Sequence, residues 1–68
     1  MNSFVTNKEI MLIGMNMNEA SLYAKNTGLI LRASKINGIN QILTLDSCSS
    51  RVNLIIEDNV IKDIDFVG

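Results

Sequence analysis

Sixty-eight residues with a formal charge of −1, six basic side chains against seven acidic ones, make one domain and no more. An apolar fraction of 47% is globular and 19% of charged residues argues against disorder, while the lack of a basic block argues against a general nucleic-acid surface. There is no histidine and Cys48 is the single cysteine, which excludes an intramolecular disulfide, a zinc site of the usual kind and a Ser-His or Cys-His pair; no catalytic residue, metal or cofactor is expected.

A chain this short buries only roughly 60% of the surface its unfolded form exposes, so its stability is marginal. So apolar a monomer is expected to leave a patch exposed, which makes a homo-oligomer a candidate state.

Met1-Asn2-Ser3-Phe4-Val5-Thr6-Asn7-Lys8-Glu9 is polar and aperiodic, and is read as a flexible arm over residues 1–9, ahead of a single domain over 10–68. It lacks the basic start and apolar core of a signal peptide, and the apolar runs are too short to span a membrane, so a cytoplasmic location with no membrane partner is the default. The richness in Ile, Asn and Lys is what AT-rich bacterial and bacteriophage genomes encode.

Ile10-Met11-Leu12-Ile13 is a short apolar run ending at Gly14, read as a short strand or an extended lead-in packed on the core. Asn16 followed by Glu19 forms a capping arrangement, and a helix should follow with Ala20, Tyr23 and Ala24 on one face. Asn26-Thr27-Gly28 ends it, with Gly28 suited to the left-handed closing position. Leu29-Ile30-Leu31-Arg32-Ala33 is a short apolar strand, expected to run parallel to a later one because a crossover is implied. Asn37-Gly38 marks a turn or the start of a long loop. Ser47-Cys48-Ser49-Ser50 is the clearest loop. Val52, Leu54 and Ile56 alternate onto one face of the strongest strand, Asp58-Asn59 turns the chain, and residues 60–67 return antiparallel.

The order and spacing of Gly14, the helix start at residues 16–20, the strand near Leu31, Thr44-Leu45-Asp46, Arg51-Val52-Asn53-Leu54 and Val67-Gly68 resemble the potato inhibitor I family and its small bacterial and fungal elastase-inhibitor-like relatives. The resemblance covers roughly residues 12–68 and implies an α+β fold, a single helix packed on a small mixed sheet with an extended binding loop. It also implies a substrate-like inhibitor of a serine protease, not an enzyme. By resemblance, Leu45 enters the protease pocket, Asp46 lies just past the scissile bond, Thr44 precedes it, and Ser47 continues the loop. Arg51 holds the loop from beneath by pairing with Asp46 or the C-terminal carboxylate of Gly68. Asn53 stands where potato-type members often carry a second supporting arginine.

Several residues have plainer readings. Leu45 could be a core residue of a strand over residues 42–45, Arg51 an ordinary solvated residue, and Cys48 an inert one. Asp63 and Asp65 read as solubilising an edge strand, and Met11, Met15 and Met17 as core or interface filler. A second function of a different class also stands: a phage-type oligomer that sequesters a small phosphorylated ligand, such as a nucleotide signal. Arg32, Lys35, Ser49, Ser50 and Arg51, with the Ser47 hydroxyl, would then supply the phosphate donors. An exposed Leu45 favours inhibition; a buried one beside a basic intersubunit pocket favours ligand capture.

Overall fold

The computed structural model describes residues 6–68, so most of the expected N-terminal arm, residues 1–5, lies outside the described residues. The remainder of that segment is not an arm. Asn7–Ile10 forms a helical turn (α1), with the Thr6 main-chain N–H and hydroxyl both donating to Glu9 Oε1, at 2.6 and 2.7 Å. The apolar run that follows is no strand. Its Ile10, Met11 and Ile13 are exposed and only Leu12 turns inward, where it is fully buried.

The extended pairing expected there falls a few residues later. Gly14 N–H donates to the Ile61 carbonyl at 2.8 Å, Ile61 N–H donates to Met15, and Met17 N–H donates to Asn59. Met15 and Met17 pack on the core, as filler, while Met11 stays in solvent.

The main helix (α2) spans Met17–Thr27 and begins as its sequence requires. Glu19 N–H donates to Asn16 Oδ1 and Asn16 N–H donates to Glu19 Oε1, so each satisfies a main-chain group the other leaves free. Gly28 closes it at φ +75°, a left-handed conformation that costs a residue without Cβ nothing. Ala20 and Ala24 are buried, and Tyr23, half-buried, donates its hydroxyl to the Lys8 carbonyl, which ties α2 to α1.

Four strands form one mixed sheet: β1 (Ile30–Ile36), β2 (Ile39–Asn40), β3 (Arg51–Glu57) and β4 (Val60–Val67), in the order β2-β1-β3-β4. As expected, β1 runs parallel to β3, with Leu31 opposite Val52 and Ala33 opposite Leu54, and β4 runs antiparallel to β3. The crossover that makes the pair parallel is not the helix. It is the hairpin to β2 followed by the loop over residues 41–50. Two-residue turns at Asn37-Gly38 and Asp58-Asn59 close the hairpins, all four residues at positive φ, which suits the right-handed twist of the flanking strands. The turns meet at one end of the sheet, where Asp58 N–H donates to Asn37 Oδ1 at 2.8 Å.

The core lies between α2 and one sheet face: Leu12, Ala20, Val52, Leu54, Ile56 and Ile61, with Tyr23, Leu29, Leu31, Ala33 and Ile64 packed around them. Val52 and Leu54 are fully buried. Asp63 and Asp65 point from β4 into solvent, as an edge strand's charges should. Because Leu54 sits at the centre of so small a core, Leu54→Ala should lower the unfolding free energy by about 2–5 kcal/mol. An unchanged urea midpoint would contradict the packing described here.

Candidate binding loop

On β3, the residues between the core positions point to the opposite face of the sheet. These are Asn53 and Ile55, with Arg51 just before Val52 on the same face, and across the parallel register Arg32 of β1 stands beside Asn53. The loop over residues 41–50 runs back past these side chains. It leaves β2 with Gln41 N–H donating to the Ser34 carbonyl and returns where Arg51 N–H meets the Cys48 carbonyl and Ile30 N–H the Ser50 carbonyl. It therefore lies at the end of the sheet opposite the two tight turns.

Leu45 is at the loop's outer surface, 103% exposed, and Ile42 is 101% exposed. Neither side chain rests on the fold. This decides between the two readings of Leu45: it is a loop residue and not a core residue of a strand. The segment around Leu45 is nonetheless held. Arg51 Nη1 and Nη2 donate to the two Asp46 carboxylate oxygens at 3.2 and 3.1 Å, Nη2 also reaches the Asp46 carbonyl at 3.2 Å, and Nε donates to the Gly68 main-chain oxygen at 2.9 Å. The Arg51 side chain is 12% exposed and that of Asp46 60%, so the cation is seated in the fold and the carboxylate is reached from beneath. Both partners proposed for Arg51, Asp46 and Gly68, are thus engaged at once, through the planar fork a guanidinium offers.

A second chain of contacts joins the first. The Thr44 hydroxyl donates to Asp46 Oδ1 and accepts from Arg32 Nη1 at 2.8 Å. Arg32 Nε donates to Asn53 Oδ1 at 2.6 Å, and the fully buried Asn53 spends its amide on the Phe66 and Gly68 carbonyls, at 3.2 and 3.1 Å. Among the described residues, no buried side-chain nitrogen or oxygen lacks a partner. Ser47 is exposed just beyond Asp46, and Cys48 is half-buried with a free thiol.

The residues weighed for a phosphorylated ligand are placed otherwise. Arg32 and Arg51 direct their donors at Asn53, Thr44, Asp46 and Gly68. Lys35 lies farther along β1, opposite Ile55, and Ser49 and Ser50 form the exposed turn before β3. Among the described residues there is no group of acidic, Cys or His side chains that could hold a metal, and no helix long and apolar enough to cross a membrane.

The sequence offers Arg32 as an anion donor, and in the fold its guanidinium donates to Asn53 and Thr44, while Ile42, weighed as part of a strand, is an exposed loop residue. Arg32 carried a signal, a cation set between Leu31 and Ala33 in an apolar strand, but its distance in sequence from Thr44 concealed the contact. Comparison with family models, with curated proteins and with solved structures finds no match to this chain.

The Arg51 guanidinium, and after it the Thr44 hydroxyl, hold the Asp46 carboxyl down to about 2 from its ordinary 3.8. With the folded value below the unfolded one, the clamp's contribution is complete above 3.8 and is lost as the pH falls through about 2. An NMR titration of the Asp46 side-chain carbon should show its midpoint near the lower value. In Arg51→Ala the midpoint should move up toward 3.8. Equal midpoints in the two proteins would show that Arg51 does not grip the carboxylate in solution.

Proposed function

We propose that this chain is a substrate-like inhibitor of a serine protease, acting through Thr44-Leu45-Asp46, on a potato inhibitor I-like scaffold. The observation that carries the reading is a combination: Leu45 stands wholly in solvent while the residues on either side of it are tied to the sheet. Ordinary exposed loops lack such ties, and buried apolar residues lack such access. A loop fixed in advance loses little conformational entropy when a protease closes on it, so the apolar contact at Leu45 is expressed as affinity. The same ties slow the separation of the two ends after attack on the bond between Leu45 and Asp46.

The strand order, the parallel β1–β3 pair and the position of the loop between them support the same reading. Ligand capture is the weaker reading, because Arg32 and Arg51, its main anion donors, are occupied within the fold.

A panel of subtilisin-like, chymotrypsin-like and elastase-like enzymes tests the proposal. Inhibition is expected where the enzyme prefers a leucine-sized apolar residue. Leu45→Asp should abolish it, because an unpaired carboxylate would be driven into an apolar pocket. Arg51→Ala should still bind but should be cut faster, by roughly tenfold or more, the equivalent of one charge-assisted hydrogen bond. A wild-type protein that inhibits none of the panel would refute the function proposed.

A further inference from the structure

We propose that Arg32 is a positioning residue for the half of the loop that precedes the scissile bond, so that the two halves are gripped separately, from two adjacent parallel strands. The inference rests on the inhibitor reading above and concerns how that loop survives attack. Arg51, at the start of β3, holds Asp46 by side chain and carbonyl, and Asp46 is the first residue after the bond. Arg32, on β1, donates to the Thr44 hydroxyl, and Thr44 lies on the other side of the bond with only Leu45 between. In the intact loop the two grips are bridged, since the Thr44 hydroxyl donates to Asp46 Oδ1.

The chemistry of attack shows why two grips matter. The protease serine oxygen bonds to the Leu45 carbonyl carbon, the bond from that carbon to the Asp46 nitrogen breaks, and a proton passes to that nitrogen. The products are an acyl-enzyme ending in Thr44-Leu45 and a free amine on Asp46. That amine can return to the acyl carbon, lose its proton and expel the serine oxygen, which restores the peptide bond. Water can instead attack the acyl carbon and release a Leu45 carboxylate. Which route wins depends on whether amine and acyl carbon stay together. Arg51 restrains only the amine half. Once the backbone is cut, Arg51 reaches Thr44 only through the hydroxyl's bond to Asp46, whereas Arg32 holds Thr44 directly from the sheet.

Arg32 is itself well placed for that role. Asn53 accepts its Nε at 2.6 Å and is in turn fixed by the Phe66 and Gly68 carbonyls, so the guanidinium is oriented by the buried sheet face and not by the loop it holds. The two anchors stand on neighbouring strands where the parallel ladder is regular, from Ile30 to Ala33, with Ile30 paired to Arg51 and Arg32 to Asn53. Their separation is therefore set by main-chain hydrogen bonds and does not depend on the cut bond.

The test uses the full chain and a protease that the wild-type protein inhibits. Mass spectrometry follows loop cleavage over time, and the reverse experiment starts from cut protein and measures the intact fraction regained. Arg32→Ala should be cut at least roughly tenfold faster and should regain less intact protein, with initial binding changed much less. Thr44→Val removes the same contact from the solvent side and leaves Arg32 bonded to Asn53, so it remains informative where Arg32→Ala disturbs folding. Thr44→Val also removes the hydroxyl's bond to Asp46, so it should be the faster cut of the two, and the double variant should be cut no faster than Thr44→Val alone, because the Arg32–Thr44 contact is already lost in it. Wild-type inhibition with both single variants cut at the wild-type rate would overturn the Arg32 assignment alone, as would effects of the two substitutions that add. A wild-type protein that inhibits nothing would overturn the inhibitor reading and this inference with it.

Discussion

The parallel pairing of β1 with β3 is the constraint from which the rest of the architecture follows. Antiparallel neighbours can be joined by two residues, as β3 and β4 are here, but parallel neighbours start at the same end of the sheet and the chain must travel back between them. In most folds a helix makes that return. Here α2 precedes β1, and the return is made by a two-residue strand and a stretch without regular structure. A return path of this kind has no hydrogen-bond ladder of its own, so its conformation has to come from the side chains it passes over. Arg32, Arg51 and Asn53 meet that need on the sheet face that α2 does not cover.

The two faces of the sheet consequently do different work. One face carries the apolar core, where Val52, Leu54, Ile56 and Ile61 pack against Ala20 and Leu12. The other carries a polar network in which Asn53 is as fully buried as Leu54. A buried amide is tolerable only with its hydrogen bonds complete, and those of Asn53 run to Arg32, Phe66 and Gly68. Gly68 is therefore part of the site: its oxygen accepts from both Arg51 and Asn53, and its N–H donates back to the Arg51 carbonyl at 2.8 Å. Loop order and the seating of the last strand depend on each other.

Much of this was legible in the residues because the signals were local. Asn16 with Glu19, Gly28 after Thr27, the alternation of Val52, Leu54 and Ile56, and the turn residues 58 and 59 each act within a few positions, and each element appears where its signal stands. The failures have a common cause too. Ile10-Met11-Leu12-Ile13 has strand-like composition, but the α1 turn capped by Thr6 and Glu9 takes the chain through it, and the bonds to β4 form at Gly14 and Met15 instead, with Met17 bonded to the turn before β4. The Asp46–Arg51 contact spans five residues and was readable, whereas Arg32 reaches Thr44 across a hairpin whose path only the folded chain defines. Asn53 does not reach the loop; it orients the arginine of the neighbouring strand, which does.

The isolation of the Leu45 side chain separates two pressures that usually act on the same residue. A side chain that touches nothing in its own fold can be exchanged with little effect on stability, since surface substitutions of this kind generally stay within about 0.5 kcal/mol. With Leu45 entering a protease pocket, as proposed above, selection on that pocket acts at this position with the scaffold left untouched. In so small a domain, with little stability to spare, that independence leaves the tip of the loop open to rapid divergence while Thr44, Asp46 and the two arginines stay bound to one another.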